Sequence, residues 1–343
     1  MDLGERKKLI LRAIVNDYIQ TAEPVGSRSI SKKQEIGISS ATIRNEMADL
    51  EELGYLQQPH TSAGRIPSDK GYRFYVNELM EVNVPTVKEI EYMKNMMQLV
   101  TVNEINKIIK RMTKMLSQIT CYTSAIVTPS VKNSSVKSIQ LIHVTSNDIV
   151  AVIVTDTGII KNFVINTPRS ITNDTLIKIN NMLNEKLSGL TLNEINLEVI
   201  SSIQSELRGY TEILNAIIPA LYECLTSMDC DVFLEGVTNI FKHPEYKDIE
   251  KAENFLSILD KKDIIKKILT VDDNNYSVYI GNENIYDGIK DCSIVKATYR
   301  INNKTVGHIG VIGPTRMDYG KVIGTLKLIS TTINDMLKNT SKE

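Results

Sequence analysis

No stretch of this chain approaches the roughly 18 consecutive apolar residues of a membrane-spanning helix, and its 343 residues carry a formal net charge of only −1. The first absence excludes a helical membrane protein. The second argues against a wholesale polyanion binder, so any affinity for nucleic acid has to come from where charges sit. Cysteine is scarce: Cys121, Cys224, Cys230 and Cys292 form no CxxC and have no histidine nearby in sequence. That pattern fits reduced core thiols of a cytosolic protein. The four histidines (His60, His143, His243 and His308) lack HExxH or Cys/His metal spacing, so no metal is expected. No GxSxG, Walker loop or GxGxxG after a strand is present, which leaves nucleophilic and nucleotide chemistry without an anchor. We expect no enzyme and no cofactor. The glycines of "GHIGVIG" lie within a strand pattern and fit close packing. The opening "MDLGERKKLILRAIV" is acidic at position 2 and continues as an amphipathic helix, unlike a signal peptide.

What is there suffices for two or three domains: 42% hydrophobic and 24% charged residues over this length allow a sizeable core. Leu9, Ile10, Ala13, Ile14, Tyr18 and Ile19 recur at helical spacing and predict a helix over roughly 5–20. Pro24 and Gly26 break it, and Ser27 can cap a short second helix reaching about Lys33. Ser39 or Ser40 can cap a third, "ATIRNEMADLEEL", in which Ile43, Met47, Leu50 and Leu53 form a core stripe and Gly54 suits the position after the last turn. Short strands at "YLQQ" and around Arg65–Ile66 then flank "PHTSAGRIPSDKGYR", and Ser68 can cap "DKGYRFYVNELM". Three helices followed by a β-hairpin is the winged helix-turn-helix order.

Residues 86–119 read as a Met-rich amphipathic helical region suited to packing. From about 124 the period becomes two. "SAIVTP", "VKSIQLIHV", "DIVAVIVT" and "IIKNFVI" predict strands, with "TDTG" a tight turn between the last two. Helices follow over about 172–188 and 200–228, then "VFLEG" and more helices to Leu269. "YSVYIG", "CSIVKATY" and "KTVGHIGVIG" are strands again, and a helix closes the chain. Strands on both sides of a largely helical interval predict one antiparallel domain carrying an insertion. "GVIGPTRMDYGKVI" fits a buried last strand broken at Pro314; a domain contact through Arg316, Asp318 and Tyr319 is the other reading.

Recognition helices present their N-terminal residues to base edges in the major groove. Here those are Ser39, Ser40, Thr42, Arg44 and Asn45, off the apolar stripe; Arg can read guanine and Asn adenine. Asp49, Glu51 and Glu52 lie toward the other end, away from phosphate. The following hairpin concentrates donors: His60, Thr61 and Ser62 for phosphate, Arg65 nearest the groove, and Gly64 able to turn the chain at positive φ. Lys70 and Arg73 project about one turn apart at the start of the next helix. Residues 1–80 hold eleven Lys/Arg against eleven Asp/Glu, so placement decides.

"ERKKLILRAIVNDYI", "EPVGSRSIS", "SSATIRNEMADLEELGYLQQPHTSAGRIPSDKGYRFYV" and "GVIGPTRMDYGKVI" resemble the HrcA-type heat-inducible transcription repressors, with matches at both ends of the chain; "SSATIRNEMADLEELGYL" is also similar to DeoR-type regulators. The resemblance implies an α+β multidomain protein: a winged helix domain at 1–85, a helical linker at 86–120, a GAF-like antiparallel α/β domain at 121–200 and 275–343, and an inserted, largely helical dimerisation domain at 201–274. It implies a cytoplasmic bacterial repressor of chaperone operons, nucleoid-associated when bound, that holds double-stranded inverted-repeat (CIRCE) operator DNA as a homodimer and is modulated by a GroEL-type chaperonin. Ser27 and Arg28, in the matched "EPVGSRSIS", join the residues above as DNA-binding candidates. The alternative is a metabolite-responsive, DeoR-like regulator with an effector pocket in its C-terminal domain.

Overall fold

The computed structural model describes residues 3–33, 36–60, 63–98, 105–128, 135–145, 147–156, 160–191, 194–206, 210–227, 232–270, 275–301 and 304–340. Helix α1 (Glu5–Thr21) buries Ile10, Leu11, Ile14 and Val15 against α3 (Ser40–Glu52), whose Ile43, Met47 and Leu50 face inward as expected; Leu53, the fourth expected member of the stripe, follows the last turn and is exposed. Each such side chain removed from water contributes about 1.5–3 kcal/mol. The short α2 (Ser27–Ser31) precedes α3 and stops before Lys33, earlier than expected. Leu53 caps the end of α3, and Gly54 follows with a φ of 77° that suits a glycine after a helix. Strands β1 (Leu56–Gln57) and β2 (Ile66–Pro67) then pair antiparallel. α4 (Asp69–Phe74), capped by Ser68, passes into a π-helical turn over Tyr75–Leu79. The order of three helices and a hairpin matches the reading of the sequence.

Helices α5 (Val87–Gln98) and α6 (Ile105–Thr120) lead into two separate antiparallel sheets. The larger contains β3 (Thr123–Val127), β7 (Val232–Glu235), β8 (Tyr276–Ile280), β9 (Cys292–Ile301) and β10 (Lys304–Pro314), in the order β7-β3-β10-β9-β8. Alternation along β3 sends Ile126 toward the core shared with α6 and α12 (Tyr319–Thr340), and Ala125 and Val127 toward α10 (Ile249–Leu259) and α11 (Lys262–Thr270). The sheet is therefore covered by helices on both faces.

The smaller sheet, β4 (Val136–His143), β5 (Asp148–Thr155) and β6 (Ile160–Asn166), has a core of its own. Helices α7 (Asn173–Leu187), α8 (Leu197–Glu206) and α9 (Thr211–Ser227) cover one face through Leu176, Ile179, Leu183, Ile203, Leu214 and Ile217. Along β4, Asn184 accepts from Ile139 N–H at 2.8 Å and Asn180 from Leu141 N–H at 3.0 Å, satisfying backbone groups that an edge strand would leave open. The inserted unit thus lies between β3 and β7, not at 201–274 as the sequence suggested. The strands expected to join the main sheet at 136–166 belong to the insertion, and α10 and α11 belong to the main sheet. The turn expected at "TDTG" falls partly outside the described residues.

The winged helix packs on the larger unit through an apolar cluster that includes Tyr72 and Tyr319, and through polar contacts. Arg316, in the turn after β10, donates from Nη1 to Ile19 O at 2.5 Å, and from Nε and Nη2 to Glu245 at 2.5 and 3.2 Å. Ile19 lies in the last turn of α1, where a helix carbonyl lacks an internal partner. Burial opposes the Arg316 charge, but the hydrogen bond and charge of Glu245 more than offset it and raise its pKa. Both sequence readings of this stretch therefore apply: Tyr319 and Val311 are buried, and Arg316 makes a domain contact.

Candidate nucleic-acid interface

Ser39 caps α3, accepting from Thr42 N–H at 3.2 Å with its hydroxyl 2.9 Å from the Thr42 hydroxyl. The cap fixes where the helix begins and so which residues its first turns present. Arg44 and Asn45 are exposed there, whereas Ile43 and Met47 face inward. Ser27 and Ser40 lie hydroxyl to hydroxyl at 3.1 Å, tying the start of α2 to the start of α3. Both serines are partly covered, while Arg28 beside them is exposed.

The hairpin returns to the same place. Val25 and Arg65 exchange two backbone hydrogen bonds of 2.9 Å, an isolated antiparallel bridge. Gln58 closes the hairpin by donating to Ala63 O at 3.2 Å. Gly64 is not in the positive-φ region expected of it. Glycine is needed there for close approach, because a Cβ would run into the Val25 carbonyl, whose carbon lies 2.6 Å from its position.

The result is a solvent-open cleft of about 580 Å³ whose walls include Ser27, Arg28, Arg44, Gln58, Gly64 and Arg65. It brings the start of α2, the face of α3 and the hairpin to one surface. Gln58 is a wall residue that sequence reading did not single out; its place in the turn-proximal "YLQQ" was the available signal. His60 is exposed on the hairpin. Thr61 and Ser62 lie outside the described residues.

Charge pairing on the winged helix is uneven. Lys7 bridges Glu46 at 2.7 Å and Asp49 at 2.8 Å, with Arg6 also 3.6 Å from Glu46. Hydrogen bonds to these carboxylates, Asp49 first, raise the Lys7 pKa above its ordinary value. Lys33 pairs with Asp17 at 2.6 Å and Arg12 with Glu81 at 2.8 Å. Arg65 is half-buried on Glu51. By contrast, among the described residues the guanidinium groups of Arg28 and Arg44 hold no hydrogen-bond or ion-pair partner, although the Arg28 carbonyl accepts from the Ser31 hydroxyl at 3.1 Å. A domain whose first 80 residues hold as many cations as anions thus leaves uncommitted guanidinium groups at its cleft.

The two cations of α4 are occupied elsewhere. Lys70 donates to Leu53 O at 2.8 Å and sits 4.5 Å over the Tyr55 ring. Arg73 leaves the winged helix: Nε donates to Glu283 Oε1 at 2.8 Å, and Nη2 reaches Glu283 Oε2 and Val278 O. The Glu283 hydrogen bond raises the Arg73 pKa further. Asn282 completes the contact by donating to Asp69 through its backbone at 3.0 Å and its side chain at 2.9 Å.

A winged helix-turn-helix with unpaired arginines in a cleft between its helices and hairpin defines a DNA-binding transcription regulator. Comparison with known proteins narrows this. Residues 106–323 match the family model described as HrcA protein C terminal domain. The chain is 45% identical over 344 residues to the Heat-inducible transcription repressor HrcA of Clostridium botulinum (strain Eklund 17B / Type B), covering 100% of both. It is 47% identical over 338 residues to the one from Clostridium acetobutylicum, covering 98% of both. The chain belongs to the HrcA family of heat-inducible transcription repressors. A crystal structure described as a hypothetical protein at 2.2 Å resolution superposes over 99% of this chain and 100% of its own, with a TM-score of 0.65 at 23% identity; the fold is shared. No helix among the described residues is long and apolar enough to cross a membrane.

Proposed function

We propose that this repressor grips a CIRCE-type inverted-repeat operator upstream of chaperone genes as a cytoplasmic homodimer, with a GroEL-type chaperonin maintaining the DNA-binding form until heat stress withdraws it. The observation that carries the DNA reading is the cleft in which Arg28 and Arg44 are exposed without a carboxylate to hold. α3 enters the major groove with Arg44 and Asn45 toward base edges. Ser27, Arg28 and the hairpin with His60, Thr61 and Ser62 meet the backbone. Ser39, Ser40 and Thr42 set the start of the recognition helix.

An inverted repeat presents two half-sites related by a two-fold axis, which a symmetric dimer matches. The smaller sheet supplies a surface for that dimer. Its helices cover one face, and on the open face Ile142, Val150 and Val164 lie side by side across three strands. Ile142 is 48% exposed, Ile160 57% and Val164 65%, an apolar surface suited to a second copy. The larger sheet, covered on both faces, is read as the GAF-like unit. The metabolite-responsive alternative finds little support in the apolar cleft at Ile268, Tyr279, Ile285 and Ile294, which has room for about 30 Å³, little more than a water molecule.

The deciding experiment is titration of the purified protein with the duplex found by footprinting its own upstream region, with and without chaperonin. Chaperonin is expected to raise the active fraction, because a marginally stable repressor shifts several-fold with ~1–2 kcal/mol. If occupancy and active fraction ignore chaperonin while a metabolite shifts both, the chaperonin reading fails.

A further inference from the structure

Arg65 links the hairpin both to α3 and to the segment before α2. Its Nε and Nη2 both lie 2.7 Å from Glu51 Oε2, near the end of α3. Its backbone is bridged to Val25, just before α2. It also stands next to β2, whose first residue pairs with Gln57 of β1. The neighbouring Gly64 lets the hairpin lie directly on the Val25 carbonyl. The side chains of Arg65 and Glu51 are 22% and 33% exposed, so water screens the pair only in part.

We infer that Glu51 and Arg65 form a strut that fixes the hairpin at a set distance from the recognition helix, making Arg65 a positioning residue and not a groove contact. This inference rests on the reading of the cleft as a DNA interface. Its sign is distinctive. A carboxylate on a DNA-binding domain repels phosphate, so electrostatics alone predicts tighter binding once Glu51 is neutralised. If Arg65 were itself a phosphate ligand, Glu51 would compete for it, and neutralising Glu51 would again tighten binding. With a strut, losing the negative charge weakens binding, because the hairpin loses its alignment with α3 and precise placement is lost.

The test uses full-length protein, the footprinted duplex, Glu51→Gln, and the charge-swapped pair Glu51→Arg with Arg65→Glu. Glu51→Gln should bind roughly fivefold more weakly, at an unfolding midpoint close to that of the parent. Amide exchange at Val25 and Arg65, whose N–H groups form the bridge, should speed up in Glu51→Gln. The charge swap should restore both affinity and protection in large part; a groove-contacting Arg65 would leave the swapped protein weak. Tighter binding by Glu51→Gln, or unchanged protection at Val25 and Arg65, overturns the strut. The exchange measurement needs no DNA. If the parent protein fails to hold the duplex, the interface reading falls, and amide protection alone still decides whether the strut exists.

Discussion

Arg28 and Arg44 are exposed without an ionic partner, whereas Arg65 and Arg73 each hold a carboxylate. A paired guanidinium must give up its partner before it can take a phosphate, so the two groups are not equivalent for DNA. On the proposed reading, Arg44, on the second turn of α3, reads a base, and Arg28, beside the start of α2, meets phosphate. Arg44→Ala should therefore flatten discrimination between operator and mismatched duplex by about 1–3 kcal/mol. Arg28→Ala should weaken binding to all sequences alike and reduce the dependence of log K on log salt by about one. Parallel titrations across salt concentrations on matched and mismatched duplexes separate these outcomes. Equal, sequence-independent losses in both variants would mean that α3 does not read bases. The cap, the apolar stripe and Arg44's exposure were legible in the sequence because all three follow from helical spacing within α3. The pairing of Arg65 with Glu51 was not legible. It depends on folding the hairpin back against the end of α3, 14 residues away, which no local period encodes.

The elements that sequence placed least well are the strands. β3 and β5 both read as runs of β-branched residues, yet β3 lies inside the larger sheet and β5 is central in the smaller. Period two reports that a segment is extended; it does not report its neighbour. The difference lies in the helices that follow. α7 offers Asn180 and Asn184 to the backbone of β4, and that side chain–backbone match, formed across some 40 residues of chain, assigns the strand to its sheet. The open face of the same sheet yields a prediction at this scale. Val164→Arg puts a charge on the exposed apolar surface, at the β6 end of its row, without touching the buried core. It should shift sedimentation from dimer toward monomer and lower affinity for the full inverted repeat, with binding to a half-site duplex retained. An unchanged dimer would move the two-fold axis elsewhere.

Across the whole molecule, the winged helix shares a buried apolar cluster with α12, where the Tyr72 and Tyr319 rings lie 5.9 Å apart, and two polar contacts add to it. Glu283 and Asn282 fasten α4 through Arg73 and Asp69, and Arg316 fastens the end of α1. The first contact can be released with a single neutral substitution. Glu283→Gln should loosen the DNA-binding unit from the larger sheet, seen as faster amide exchange in α4 and a separate, lower-temperature unfolding step. A single transition at the parent temperature would show that the remaining contacts suffice.

The bond from Arg316 to Ile19 spans 297 positions in the chain, and β3 likewise waits for β10 to pair with it. The ribosome makes the first helix almost at once but supplies its final hydrogen-bond partner only near the end of synthesis. A nascent chain can form the local helices of the DNA-binding unit, yet it cannot seat that unit until nearly all of the protein has emerged. Contacts of such long sequence separation are slow to form and leave apolar surface uncovered in the interval. A growing chain with this architecture spends that waiting time with the seat of its first domain unfinished and apolar surface open to neighbouring chains.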